Sequence, residues 1–187
     1  MTEIVEGGRA ARLQAITRGM RLPLIAAPMF LVSGPGLVLA ACRAGIAGAF
    51  PTPNARSIEM LEGWLRQVVE GHAQACEAAP GEVGPWALNL VTHSSYDRLA
   101  PELDLVDRYQ PPLVITALGS PAPAVERVHA YGGAVFADVS SLRFARRAAA
   151  AGVDGLVLVS AGAGGHTGRV SPFAFVQAVR DFYDGII

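Results

Sequence analysis

The 187-residue chain is 51% hydrophobic and 17% charged, with fifteen basic residues, all arginine, against sixteen acidic ones. That length suffices for one domain with a sizeable core, and the apolar content excludes a disordered chain. The near-zero net charge leaves no basic field to attract nucleic acid or an anionic membrane surface.

The first 21 residues carry charges throughout and hold no apolar run of the kind a secretory signal needs. They read as an N-terminal segment preceding a single domain over 22–187. From Leu22 to Cys42 no charge occurs. Three prolines and two glycines interrupt this stretch, so it reads as a strand, a loop and a helix rather than a membrane span. PLIAAP (23–28) is the first strand, PGLVLAACRAG (35–45) a helix closed by Gly45, and IAGAF (46–50) the second strand. Ile58, Leu61, Leu65, Val68 and His72 then recur at helical spacing.

WALNLV (86–91) is the third strand and 97–109 the next helix. LVITAL (113–118), a helix over 123–131, AVFADV (134–139) and the alanine-rich SLRFARRAAAAG (141–152) continue the alternation. Within that last helix, Arg143, Arg146 and Arg147 read as a solvated face. GLVLVS (155–160) is the sixth strand, 171–185 a further helix, and residues 185–187 resemble the start of a seventh strand. Short apolar runs without alternation indicate strands buried on both faces, hence a parallel sheet covered by helices. Six βα units with a seventh beginning fit a doubly wound sheet or a (β/α)₈ barrel, and a barrel of about 250 residues would be incomplete here.

In either fold the chemistry gathers at the C-terminal ends of the strands. Pro28 and Met29 end the first strand, Asn89 lies near the end of the third with His93 beyond it, and Asp138 ends the fifth. The sixth strand runs into AGAGGHTGR (161–169), four glycines around His166. Such a cluster serves a tight turn, a close approach of backbone to ligand, or an anion nest. No lysine follows the glycines, so a phosphate-binding P-loop is excluded, and Thr167 stands where a dinucleotide fingerprint needs its third glycine. No second His, Cys or carboxylate lies at ligand spacing from His166, which points away from a metal. Cys42 and Cys76 form no paired motif and read as buried thiols of a reduced, cytoplasmic protein. His72 and His129 read as structural. Asp138 has two readings of equal weight, a site residue or a cap for the helix beginning near Ser141.

LPLIAAPM (22–29), ALNLV (87–91) and AGVDGLVLVSAGAGGHTG (151–168) together resemble the nitronate monooxygenase family, also called 2-nitropropane dioxygenases. The likeness runs from about Leu22 to the C-terminus and implies an FMN-dependent (β/α)₈ barrel. It implies that the turn at Pro28 and Met29 and the side chain of Asn89 contact FMN, with Asp138, Gly164 and Gly165 also at the cofactor. It assigns His166 to catalysis on a nitronate or nitroalkane with O₂, as a base or as a group orienting the anion. Gly162 stands where many members carry glutamate, and Val159 lies where many carry glutamine, which places the chain in a GAGGHTG-type branch. Two other readings stay open. One is a flavin barrel of the enoyl-acyl-carrier-protein reductase or NAD(P)H:quinone reductase type, and the other is an inactive partial barrel.

Overall fold

The computed structural model describes residues 4–187. Its strands are β1 (Ile25–Ala26), β2 (Ala47–Pro51), β3 (Trp86–Val91), β4 (Leu113–Ala117), β5 (Ala134–Val139) and β6 (Gly155–Leu158). The helices are α1 (Ile4–Thr17), α2 (Pro35–Arg43), α3 (Ile58–Ala78), α4 (Leu99–Tyr109), α5 (Ala122–Ala130), α6 (Leu142–Ala150) and α7 (Pro172–Arg180). All six strands are parallel and lie in strict sequence order. A doubly wound sheet reverses direction at a switch point; this one never does. With right-handed crossovers, strict order puts helices α2 to α7 on one face and leaves the other face as the concave interior.

Local chemistry accounts for the helix ends. Ser57 caps α3, its hydroxyl accepting from the Met60 amide at 3.2 Å, and Ser141 caps α6 by accepting from Phe144 at 3.3 Å. Pro35 opens α2 and Pro172 opens α7, where a missing N–H costs nothing. Leu61, Leu65 and Val68 of α3 are fully buried against the outer face of the sheet, each stabilising the fold by about 1.5–3 kcal/mol.

Beyond shifts of one to three residues at element ends, three elements differ from the sequence reading. The first strand shrinks from 23–28 to Ile25–Ala26 because Pro23 and Pro28 at its flanks cannot donate to a ladder. The final helix ends at Arg180 rather than continuing to 185. Helix α1 occupies the N-terminal segment, where no helix was read. Its Leu13 and Ile16 pack against Ala49, Ala87, Leu113, Ile115, Ala134 and Phe136, the inward-pointing residues of the sheet. α1 therefore covers part of the concave face, which would otherwise expose an apolar surface. Ile186 bridges to Gly155 in parallel, with Leu156 donating to the Ile186 carbonyl at 2.9 Å, as a seventh strand would.

A buried ion cluster ties α1 to the sheet at the N-terminal ends of the strands. Asp154, fully buried, accepts from Arg12 Nε at 3.1 Å, from an Arg12 terminal nitrogen at 2.7 Å and from the Val135 amide at 2.9 Å, and it pairs with His129 Nε2 at 2.8 Å. Burial works to raise its pKa, but the bonds from His129, Arg12 and Val135 outweigh burial and hold the carboxyl below its usual range. His129 is thus structural, as the sequence suggested. So is His72, whose Nε2 lies 2.9 Å from the Gly84 carbonyl oxygen. Cys42 is buried, and burial pushes its thiol up to about 11; Cys76 is half-buried. Among the described residues no helix is long and apolar enough to cross a membrane.

Candidate active site at the strand C-termini

The pleat sends Asn89, Ala117 and Asp138 toward the concave side at the C-terminal ends of β3, β4 and β5. A cavity of about 740 Å³ opens at the C-terminal ends of β4 and β5, beside α6 and the loop after β6. Leu118, Asp138, Phe144, Arg147, Val159 and His166 all contribute to its wall. It brings together two of the residues singled out in the sequence, Asp138 from β5 and His166 from the loop after β6. Pro28, Met29, Asn89, Gly164 and Gly165 lie outside that wall, at the ends of other strands or earlier in the loop.

The loop carrying His166 is closed at its base. Ala161 donates to the Val170 carbonyl at 2.8 Å, and Gly168 and the Thr167 hydroxyl both donate to the Ser160 carbonyl, at 3.2 and 3.1 Å. Gly168 packs so tightly that any side chain there would overlap the Val159 carbonyl oxygen. Gly165 holds φ at +71°, a conformation other residues adopt at a cost. The loop therefore emerges from a fixed base and presents an exposed His166 at the cavity. Gly162 and Gly165 serve turn geometry, and Gly168 close packing, within the loop itself.

Asp138 is half-buried in this largely apolar wall, and burial pushes its carboxyl up to about 6. The capping alternative for Asp138 is overturned, because Ser141 caps α6. Asn89 is buried and its amide donates to the Ile115 carbonyl at 3.0 Å, which fixes its orientation across β3 and β4. His93 makes a local contact, Nδ1 to Ser95 Oγ at 2.7 Å.

Several contributors escaped the sequence reading. Arg143, Arg146 and Arg147 are exposed, as read from the sequence. What that reading missed is that the Arg146 guanidinium also lies 4.0 Å from the Phe182 ring centroid and that Arg147 lines the cavity. Helical spacing could have hinted at this, since Phe144, Arg147 and Ala148 share a helix face. Asn54 was also missed. It accepts from the Leu31 amide at 2.9 Å and donates to the Met29 and Ser33 carbonyls at 3.0 and 2.8 Å. Ser33 in turn accepts from the Met29 amide at 2.9 Å. These bonds shape the turn that follows Pro28 and hold Leu31 at a φ of +62°. Asn54 itself sits in a single turn of 3₁₀ helix at Thr52–Asn54, anchored where Thr52 donates to the fully buried Glu102 at 2.7 Å. Tyr96 donates to the same carboxyl at 2.7 Å. Burial leads the upward shift of Glu102, against the bonds from Thr52 and Tyr96 and the charge of Arg98.

The fold has counterparts among solved structures. FabK from Thermotoga maritima, in its M276A form, superposes with a TM-score of 0.75 at 19% identity, covering 93% of this chain and 54% of that one. A nitroalkane oxidase from Streptomyces ansochromogenes superposes with a TM-score of 0.76 at 18% identity, covering 94% of this chain and 60% of that one. The fold is an incomplete (β/α)₈ barrel. The described chain supplies six consecutive βα units, with the open mouth at the strand C-termini where the cavity lies. A protein of Mycobacterium tuberculosis (strain ATCC 25618 / H37Rv) named "Putative monooxygenase Rv1533" is 41% identical over 90 residues, which is 48% of this chain and 24% of that protein. No family model matches the chain. The chain thus spans about a quarter of that relative and just over half of the two solved structures.

Proposed function

We propose that this chain forms the greater part of a flavin-dependent oxidoreductase barrel of the nitronate monooxygenase type, with FMN as cofactor and His166 as the catalytic group. The observation that carries the reading is the meeting of His166 and Asp138 in one cavity at the strand C-termini, where barrels of this build hold their chemistry. The similarity to a protein named as a monooxygenase and the fold shared with a nitroalkane oxidase support it.

The residues present fit a flat ring system at the mouth. The turn after Pro28 is pre-shaped by Asn54 and Ser33 and leaves Met29 exposed toward solvent. The buried Asn89 amide is already oriented by the Ile115 carbonyl. Residues 27–29 and Asn89 would hold the ring. The flavin supplies the two-electron oxidation and the reaction with O₂. His166 takes the α-proton of a nitroalkane or, protonated, orients a nitronate anion. The side chains of Leu118, Phe144 and Val159 would give the reacting carbon an apolar flank.

The experiment is a His166→Ala variant assayed with a nitronate, alongside the visible absorption spectrum. The reading expects flavin retained and turnover reduced by about 10²–10⁴-fold, the usual worth of a positioned acid or base. Full turnover in that variant would end the assignment. Rapid NADH oxidation by the wild type would favour the reductase alternative, and a protein that never binds flavin the inactive one.

A further inference from the structure

Among the described residues Asp138 is a carboxyl without a hydrogen-bond or charge partner. The helix that follows is capped by Ser141, and burial alone keeps Asp138 weakly acidic. It faces a cavity whose wall is largely apolar. The charged or titratable groups sharing that wall are Arg147 from α6 and His166 from the loop after β6; β4 and its following loop contribute none. Arg147 is exposed at the cavity and makes no ion pair among the described residues. An ionised carboxylate in such a cavity repels an anion, whereas a neutral carboxyl donates a hydrogen bond to one. A guanidinium at the wall favours the anion in either case.

We propose that this cavity binds a small organic anion with an apolar body, and that binding draws one proton from solvent onto the Asp138 carboxyl. The resulting O–H donates to an oxygen of the anion, while Arg147 balances its charge. No covalent bond changes; the proton comes from water and leaves with the ligand. This rests on the functional reading above and narrows it, because it makes the anionic nitronate, rather than the neutral nitroalkane, the form the cavity selects.

The test uses hexanoate, whose planar carboxylate matches a nitronate in shape and charge, with 1-hexanol as the neutral control. Calorimetric titrations in buffers of different ionisation enthalpy count the protons taken up. At pH 7 the wild type takes up close to one proton per hexanoate bound, and its affinity falls about tenfold per pH unit from there upward, as expected of a group that titrates below this range. Asp138→Asn takes up about one proton fewer per hexanoate bound than the wild type, and its affinity depends correspondingly less on pH between 6 and 8. Arg147→Met weakens hexanoate binding about tenfold or more and leaves 1-hexanol unaffected. His166→Gln retains the uptake. Uptake lost in His166→Gln but kept in Asp138→Asn would assign the proton to the imidazole and overturn the proposal. Hexanoate binding no tighter than 1-hexanol would overturn it as well. The two readings fail separately. A yellow protein that oxidises nitronates yet binds hexanoate without proton uptake sinks only the anion site. A colourless one that takes up the proton on binding sinks only the flavin assignment.

Discussion

Replacing Asp138 with asparagine should make the folded protein more stable at alkaline pH while damaging its site. In the fold the carboxyl is raised from 3.8 to about 6 by burial. A raised native value means the folded state holds the proton more tightly than the unfolded chain does. The stability this contributes is fully present below about pH 4 and is lost as pH rises through about 6. A shift of this size corresponds to about 3 kcal/mol at most, at about 1.4 kcal/mol per unit. Asp138 sits at an open cavity, so solvent screening reduces the expected effect to about 1–2 kcal/mol. Asparagine has nearly the same shape and never ionises. Urea unfolding of both proteins from pH 4.5 to pH 8 should show the variant gaining on the wild type as pH rises. Other titrating groups cancel in the difference. A difference that does not change with pH, or a variant losing stability relative to wild type between pH 5 and 8, would refute the claim that burial of a lone carboxylate governs Asp138.

At the opposite end of the barrel the sign reverses. Asp154→Ala strands Arg12 and His129 beside a buried hole and should cost about 3–5 kcal/mol by urea unfolding at pH 7. Because the Asp154 carboxyl is held below its usual range, its contribution is present above about pH 4 and fades as pH falls further, so the penalty should shrink in acid. Gly168→Ala, which drives a methyl group into the Val159 carbonyl, should lower stability by about 1–3 kcal/mol, whereas Gly164→Ala, with open space around it, should stay within about 0.5 kcal/mol of wild type by the same assay. Asn54→Ala removes three hydrogen bonds from the turn after Pro28 and should cost about 1–3 kcal/mol. Amide exchange at Leu31 should accelerate in that variant more than exchange in β3 or β4.

The alternation of apolar runs with helical faces was enough to find six strands and the helices between them, since each run must be buried on both sides. Position at the strand ends, together with the resemblance in three motifs, was enough to single out His166, Asp138, Asn89 and the turn at Pro28 and Met29. The sequence also pointed to His72 and His129 as structural. Periodicity alone left a barrel and a doubly wound sheet both possible, because it is the same in each. The resemblance pointed to the barrel, and the sheet order, running without reversal from β1 to β6, bears that out. Tertiary packing likewise decided what no local pattern carries. It set α1 against the concave face, buried Asp154 between Arg12 and His129, turned Arg147 toward the cavity and joined Asn54 to a turn more than twenty residues away. Hydrophobic periodicity states which side of an element avoids water. Which polar groups then meet depends on contacts between residues distant in sequence, and those exist only once the sheet has curved.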